Sequence, residues 1–177
     1  MKNKLYLHCF KREFFKETVK SEVGMQYWLF KTEPHCFGIE DLKKAKNQTT
    51  SWDGVRNYQA RNFMKAMKCG DLGFFYHSGK NPEIIGVVEI VKEAYPDHFA
   101  WDMFNEHFDA KSTPEKPLWF MVDVKLAEEF KEPLSRKRLS AELALADMEL
   151  MKKGSRLSVQ PVSKEHFDYI MKIALHK

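Results

Sequence analysis

The apolar positions of this chain fall into short runs divided by polar turns, and the spacing within each run predicts its element. Tyr27-Trp28-Leu29-Phe30 is an unbroken apolar run that reads as a buried strand. Thr32-Glu33-Pro34 must leave it, because proline cannot donate to a central ladder. Residues 39–47 read as a short helix carrying Lys43, Lys44 and Lys46. Between Arg56 and Lys68, the residues Ala60, Phe63, Met64 and Met67 are spaced to bury one face of a second helix. Cys69-Gly70-Asp71 then turns the chain into a strand over Leu72–His77.

Turn chemistry over 78–82 precedes a long strand, 84–95, rich in Ile and Val. Gly86 near its start signals a bulge or the close approach of another group. Residues 96–117 form a long loop containing Trp101, Phe104 and Phe108, and loops of that length are often functional. Phe120, Val122, Val124 and Leu126 alternate along a further strand, 119–130. A helix over 135–145, a short strand over 157–162 and a closing amphipathic helix over 163–176 complete the pattern. Hairpin-like turns between strands, with helices early and late, predict an α+β fold around a small curved sheet. The lack of regular βαβα alternation argues against a doubly wound parallel sheet.

Composition narrows the picture. At 177 residues and 44% hydrophobic, the chain has core material for one domain and is not a disordered segment. No run approaches the roughly 18 apolar residues of a membrane span, so no membrane partner is expected. The formal charge of +4 permits a polyanionic partner without demanding one. Three widely spaced cysteines, Cys9, Cys36 and Cys69, suggest reduced thiols rather than a disulfide framework or a zinc site. Residues 1–24 differ in character from the rest of the chain. Their apolar run is short and His-interrupted, and Glu13, Glu17 and Glu22 argue against a mitochondrial presequence. They are expected to be an extension, with the domain spanning 25–177.

The common catalytic signatures are missing: no phosphate-cradling G-x-x-x-x-G-K-[ST], no G-x-G-x-x-G, no H-E-x-x-H and no G-x-S-x-G. No catalytic residue, metal or cofactor is therefore expected. The informative segment is Ser51-Trp52-Asp53-Gly54-Val55-Arg56-Asn57-Tyr58-Gln59-Ala60-Arg61-Asn62. It reads in two ways. In one, Asp53 caps a helix, Trp52 plugs the core, and Arg56 and Arg61 are solvated. In the other, a flat heterocycle stacks on Trp52 while Asp53 or Asn57 reads its edge, as unstacked bases are read. Arg136, Lys137 and Arg138 likewise form either a solvated helix face or a set of phosphate contacts.

Six separated blocks, taken in order, resemble the EVE domain family over residues 25–177. They are Tyr27-Trp28-Leu29-Phe30-Lys31-Thr32-Glu33-Pro34, the segment from Trp52 to Asn62, Gly70-Asp71-Leu72-Gly73-Phe74-Phe75-Tyr76-His77-Ser78, Glu93-Ala94-Tyr95-Pro96-Asp97, Trp119-Phe120-Met121-Val122-Asp123-Val124, and Gly154-Ser155-Arg156-Leu157-Ser158-Val159-Gln160-Pro161. The resemblance implies a PUA-like small β-barrel flanked by helices, related to YTH domains. It also implies a reader of a modified base in DNA or RNA, without catalysis by the module alone. Such a protein would be cytoplasmic if bacterial and nuclear if eukaryotic. By this analogy Lys31, Thr32 and Glu33 leave the first strand at a pocket rim. Trp52 is a cage wall on a loop at a helix entrance, with Asp53 beside it. Arg156 and Ser158 return towards the pocket, and Asn57, Tyr58, Arg61, His77 and Ser78 complete the candidate ligand set. On this reading Trp52→Ala removes selective binding and leaves the fold mostly intact. The rivals are a nucleic-acid-processing enzyme, for which no metal or cofactor motif is visible, and a protein-interaction adaptor in which Trp52 plugs the core.

Overall fold

In the computed structural model, which describes residues 24–175, all the strands belong to one mixed sheet. The strands are β1 (Tyr27–Thr32), β2 (Thr49–Trp52), β3 (Leu72–His77), β4 (Glu83–Pro96), β5 (Phe120–Ser135) and β6 (Val159–Val162), in the spatial order β2-β5-β4-β3-β1-β6. β1 and β3 are parallel, and the other neighbours are antiparallel. The helices are α1 (Ile39–Lys44), α2 (Tyr58–Ala66), α3 (Arg136–Ser140) and α4 (Lys164–Leu175). The extension expected over 1–24 lies, up to residue 23, outside the described residues. Among those described, no helix is long and apolar enough to cross a membrane.

Successive strand residues point to opposite faces, so the sheet separates two cores. On one face Trp28, Phe30 and Phe75 pack with Leu42 of α1, Met64 of α2, Trp52 and Val124. On the other Leu29, Phe74 and Tyr76 pack with Leu139 of α3 and with Phe167 and Ile170 of α4. Burial on both faces explains why β1 and β3 read as unbroken apolar runs rather than alternating ones. Asp71 ties the start of the sheet together. Its carboxylate accepts from the Gln26 and Lys68 amides at 2.9 and 3.0 Å and from the Trp28 indole at 3.0 Å.

The α+β class agrees with the pattern, and the strand over Leu72–His77 has the expected bounds. The barrel is corrected: β2 and β6 are free edges of the sheet, each four residues long, and no pairing joins them. Helix α2 contacts β4, β5 and β6, and its Ala60 and Met64 are buried in the core that holds Trp28 and Phe30. Two helices are shorter than their patterns. After α1, Ala45 is extended and Asn47 and Gln48 adopt left-handed angles, so the chain breaks before residue 47. The helix expected over 135–145 ends at Ser140 and resumes as a 3₁₀ turn, Leu143–Leu145. At Gly86 the β4–β5 register shifts, and a Cβ there would lie 2.2 Å from the Glu128 carbonyl oxygen. The close approach expected from this glycine is an approach of backbone.

Candidate functional site

Because β1 and β3 are parallel, their C-terminal ends lie side by side, with Thr32 opposite His77. The chain closes this end tightly. The Thr32 carbonyl accepts from the Ser78 amide at 2.8 Å and the Ser78 hydroxyl at 3.1 Å, and the Thr32 hydroxyl donates to the Phe37 carbonyl at 3.0 Å. The imidazole of His77 is buried and its Nε2 accepts the Ile39 amide at 3.2 Å, which places its own proton on Nδ1. Burial holds the His77 pKa below the ordinary imidazole value, so the ring is neutral, as an acceptor must be. Thr32, His77 and Ser78 are thus brought together at the start of α1. Glu33 stands exposed on the following turn.

Lys31 does not join them. It lies beside Tyr76 on the opposite face, where burial and then the Arg136 charge lower its pKa against the pull of Glu149. Its backbone amide donates to the Ser158 carbonyl at 2.7 Å, so the late block does return beside β1. Arg156, two residues earlier, is exposed.

Trp52 ends strand β2, and this corrects its expected place on a loop. Polar Thr49-Thr50-Ser51 shows no apolar alternation; pairing with β5 across Ser51–Asp123 and Trp52–Val122 makes the strand. The indole is 7% exposed, with ring centroids 5.0 Å from Phe30 and 5.7 Å from Phe75. Phe75 in turn stands edge-on to His77 at 5.5 Å. Trp52 is therefore the aromatic link between the β1–β3 end and the polar residues from Asp53 onward.

Those residues form a second polar cluster. The Asp53 carboxylate accepts from the Ser51 hydroxyl at 3.0 Å. Burial raises its pKa, helped by the Asp97 charge and opposed by the Ser51 bond, His107 and Arg56. Asp97 is fully buried and takes the Arg56 guanidinium at 2.7 Å, the Gly54 amide at 3.1 Å and the Phe99 amide at 3.0 Å. Arg56 Nε donates to the His107 carbonyl at 2.7 Å, while Nη2 is buried with no hydrogen-bond partner among the described residues. Gly54 has a positive φ of 71°, and a Cβ there would meet the His107 ring at 2.6 Å, so only glycine suits the junction. Tyr95 donates to Asp123 at 2.5 Å; burial first, and then this bond, push its hydroxyl pKa up.

The remaining candidates lie further along. Asn57 caps α2, its side chain accepting from the Gln59 and Ala60 amides at 2.9 and 3.0 Å. Tyr58 is exposed and lies against Trp119 at 4.9 Å, with the Arg61 guanidinium 4.9 Å from its ring. Arg136, Lys137 and Arg138 diverge. Arg136 and Lys137 line a cleft of about 530 Å³ with Lys80, Asn81 and Ser140, whereas Arg138 reaches the Ile173 carbonyl at 3.4 Å. Lys43 is paired with Glu40 and Glu129 at 2.9 and 3.1 Å.

The buried Asp97–Arg56 pair was not singled out by sequence reasoning. Its faint signal is an Asp after Pro96 opening a helical turn, and a partner 41 residues away has no local trace.

Comparison with known proteins places these features. The profile described as "EVE domain" matches residues 26–173. Thymocyte nuclear protein 1 of Gallus gallus is 44% identical over 175 residues, covering 89% of this chain and 72% of that protein. The human THYN1 protein in complex with 5-methylcytosine containing DNA superposes with a TM-score of 0.82 at 42% identity, covering 86% of this chain and 99% of that one. A Pseudomonas syringae protein superposes with a TM-score of 0.80 at 45% identity, covering 84% and 99%. The match spans both polar clusters and both cores, and on these grounds the chain belongs to the EVE domain family.

Proposed function

We propose that this chain is a binding module that reads a modified base in DNA. The carrying observation is the human relative in complex with 5-methylcytosine containing DNA, 42% identical and alike over 99% of the chain in that structure. The side chains around Trp52 suit the task. A half-buried carboxylate, Asp53, accepts hydrogen bonds, and the unpartnered Arg56 Nη2 donates one. An acceptor beside a donor matches the edge of cytosine, which offers an amino group next to acceptor atoms. The exposed margins of Trp52 and His77, 7% and 8% of each residue, are the aromatic surface offered to a ring and its added methyl group, and Phe75 backs them from the core. Thr32 and Ser78 frame the rim, with Glu33 outside it. Lys80, Arg136 and Lys137 around their cleft would meet phosphates in this reading, and Arg156 offers a further exposed cation.

The way these groups are engaged supports binding over catalysis. His77 Nε2 holds the Ile39 amide and so is not poised to take a proton from Ser78. Asp97 is fully buried and already takes three donors. A PUA-like arrangement is part of this reading, supported by the packing of α2 against β4, β5 and β6.

The test incubates the whole chain with matched modified and unmodified DNA and RNA oligonucleotides, followed by retention and mass spectrometry. Preferential retention of modified DNA with unchanged mass supports the reading. A changed mass without added partner makes the protein an enzyme, preference for RNA moves the substrate class, and no retention at all favours the adaptor.

A further inference from the structure

The turn that joins β1 to α1 carries three metal-ligating side chains within four residues, Glu33, His35 and Cys36. One ligand atom from each lies within 4.8 Å of the other two, and all three residues are exposed. His35 Nε2 stands 3.3 Å from Glu33 Oε2. Two donors each about 2.1 Å from a tetrahedral zinc ion stand about 3.4 Å apart, so this pair already has the separation the ion requires. A thiolate and an imidazole on such an ion stand about 3.5 Å apart, so Cys36 needs to close by little more than about 1 Å.

The backbone beneath these side chains is fixed. The Cys36 and Phe37 amides both donate to the Glu33 carbonyl, at 2.9 and 3.1 Å, and the Thr32 hydroxyl holds the Phe37 carbonyl at 3.0 Å. Pro34 restricts φ between the first ligand and the second. The same turn that sets His35 beside Glu33 brings the adjacent Cys36 thiol to them. Sulfur and imidazole nitrogen together select zinc-type ions over magnesium or calcium, and the carboxylate supplies a third donor.

We propose that Glu33, His35 and Cys36 bind one zinc-type divalent ion, leaving a fourth position open to water or to an oxygen ligand. The ion would clamp the turn between Thr32 and Ile39, whose amide holds His77, and so stiffen the rim beside the candidate site. Uptake must displace the thiol proton, so binding weakens as pH falls. The site stands independently of the base-reading proposal.

Cobalt(II) titrated into the reduced full-length chain provides the test. A thiolate-to-cobalt charge-transfer band with tetrahedral d–d absorption should saturate at a single equivalent and vanish on addition of zinc. Cys36→Ser should lose the charge-transfer band. Cys69→Ser, at an exposed free thiol elsewhere, and Cys9→Ser should keep it. Zinc should also raise the Tm of the native chain and not that of folded Cys36→Ser, since a ligand that binds only the folded state stabilises it. Absence of the charge-transfer band from the native chain, or its survival in Cys36→Ser, overturns the proposal.

Discussion

Replacing Trp52 by alanine separates its packing from any contact it makes with a base. The indole is 7% exposed and wedged between Phe30 and Phe75, so truncation leaves a cavity in the core that also holds Met64 and Val124. Trp→Ala in such a setting costs about 3–5 kcal/mol, a large part of the roughly 5–15 kcal/mol of a whole domain. At about 2–4 °C per kcal/mol for a chain of this length, Tm should fall by roughly 6–20 °C. The expectation from sequence, that the fold survives Trp52→Ala mostly intact, is replaced by this one. Trp52→Phe keeps most of the buried ring and is the cleaner probe of recognition. If a base stacks on the indole, the loss of contact should cost part of the about 1–3 kcal/mol typical of a base–aromatic stack. Calorimetry and fluorescence anisotropy on both variants give the two numbers. A Trp52→Ala protein that melts within about 2 °C of the native chain would refute the packing argument. A folded Trp52→Phe protein that keeps full affinity and selectivity would remove Trp52 from the binding site.

Gly86→Ala should lower stability by about 1–3 kcal/mol, because the new methyl meets the Glu128 carbonyl and the Glu129 backbone rather than a movable side chain; an unchanged denaturation midpoint contradicts the close approach. The depressed His77 pKa makes the unfolded chain take up a proton first, so its contribution to stability is present above the ordinary imidazole value and is lost as pH falls below about 6.5. The Tm of His77→Gln should therefore vary less than that of the native chain between about pH 7.5 and 5, and parallel profiles would exclude His77 as the cause. Oligonucleotide affinity should fall only shallowly with salt, and Arg136→Ala should reduce the slope by about 1, whereas an unchanged slope places the phosphates elsewhere.

Much of the fold was legible because burial on both faces writes long apolar runs into β1, β3 and β4. The bulge at Gly86 was legible for a related reason, since glycine interrupts an otherwise branched strand. Edge strand β2 was hidden: Thr49-Thr50-Ser51 is polar because it is half-exposed, and only β5 makes it a strand. The site was legible as a segment but not as a geometry. The segment from Trp52 to Asn62 does hold a buried indole, a half-buried carboxylate and an unpartnered guanidinium nitrogen, yet Asn57 is taken up by its helix cap. Lys31 and Thr32 are neighbours in sequence and lie on opposite faces, a separation that comes from strand alternation once β1 extends to Thr32. The Asp97–Arg56 pair depends on a tertiary contact between the long loop and the α2 entrance, which no local pattern encodes.

The central claim is tested most directly by the affinity of the full chain for two DNA oligonucleotides identical except for a single 5-methylcytosine, measured by anisotropy at fixed salt. The account predicts tighter binding of the methylated oligonucleotide, with affinity for both lowered in Asp53→Ala. Equal affinities for the two would contradict it.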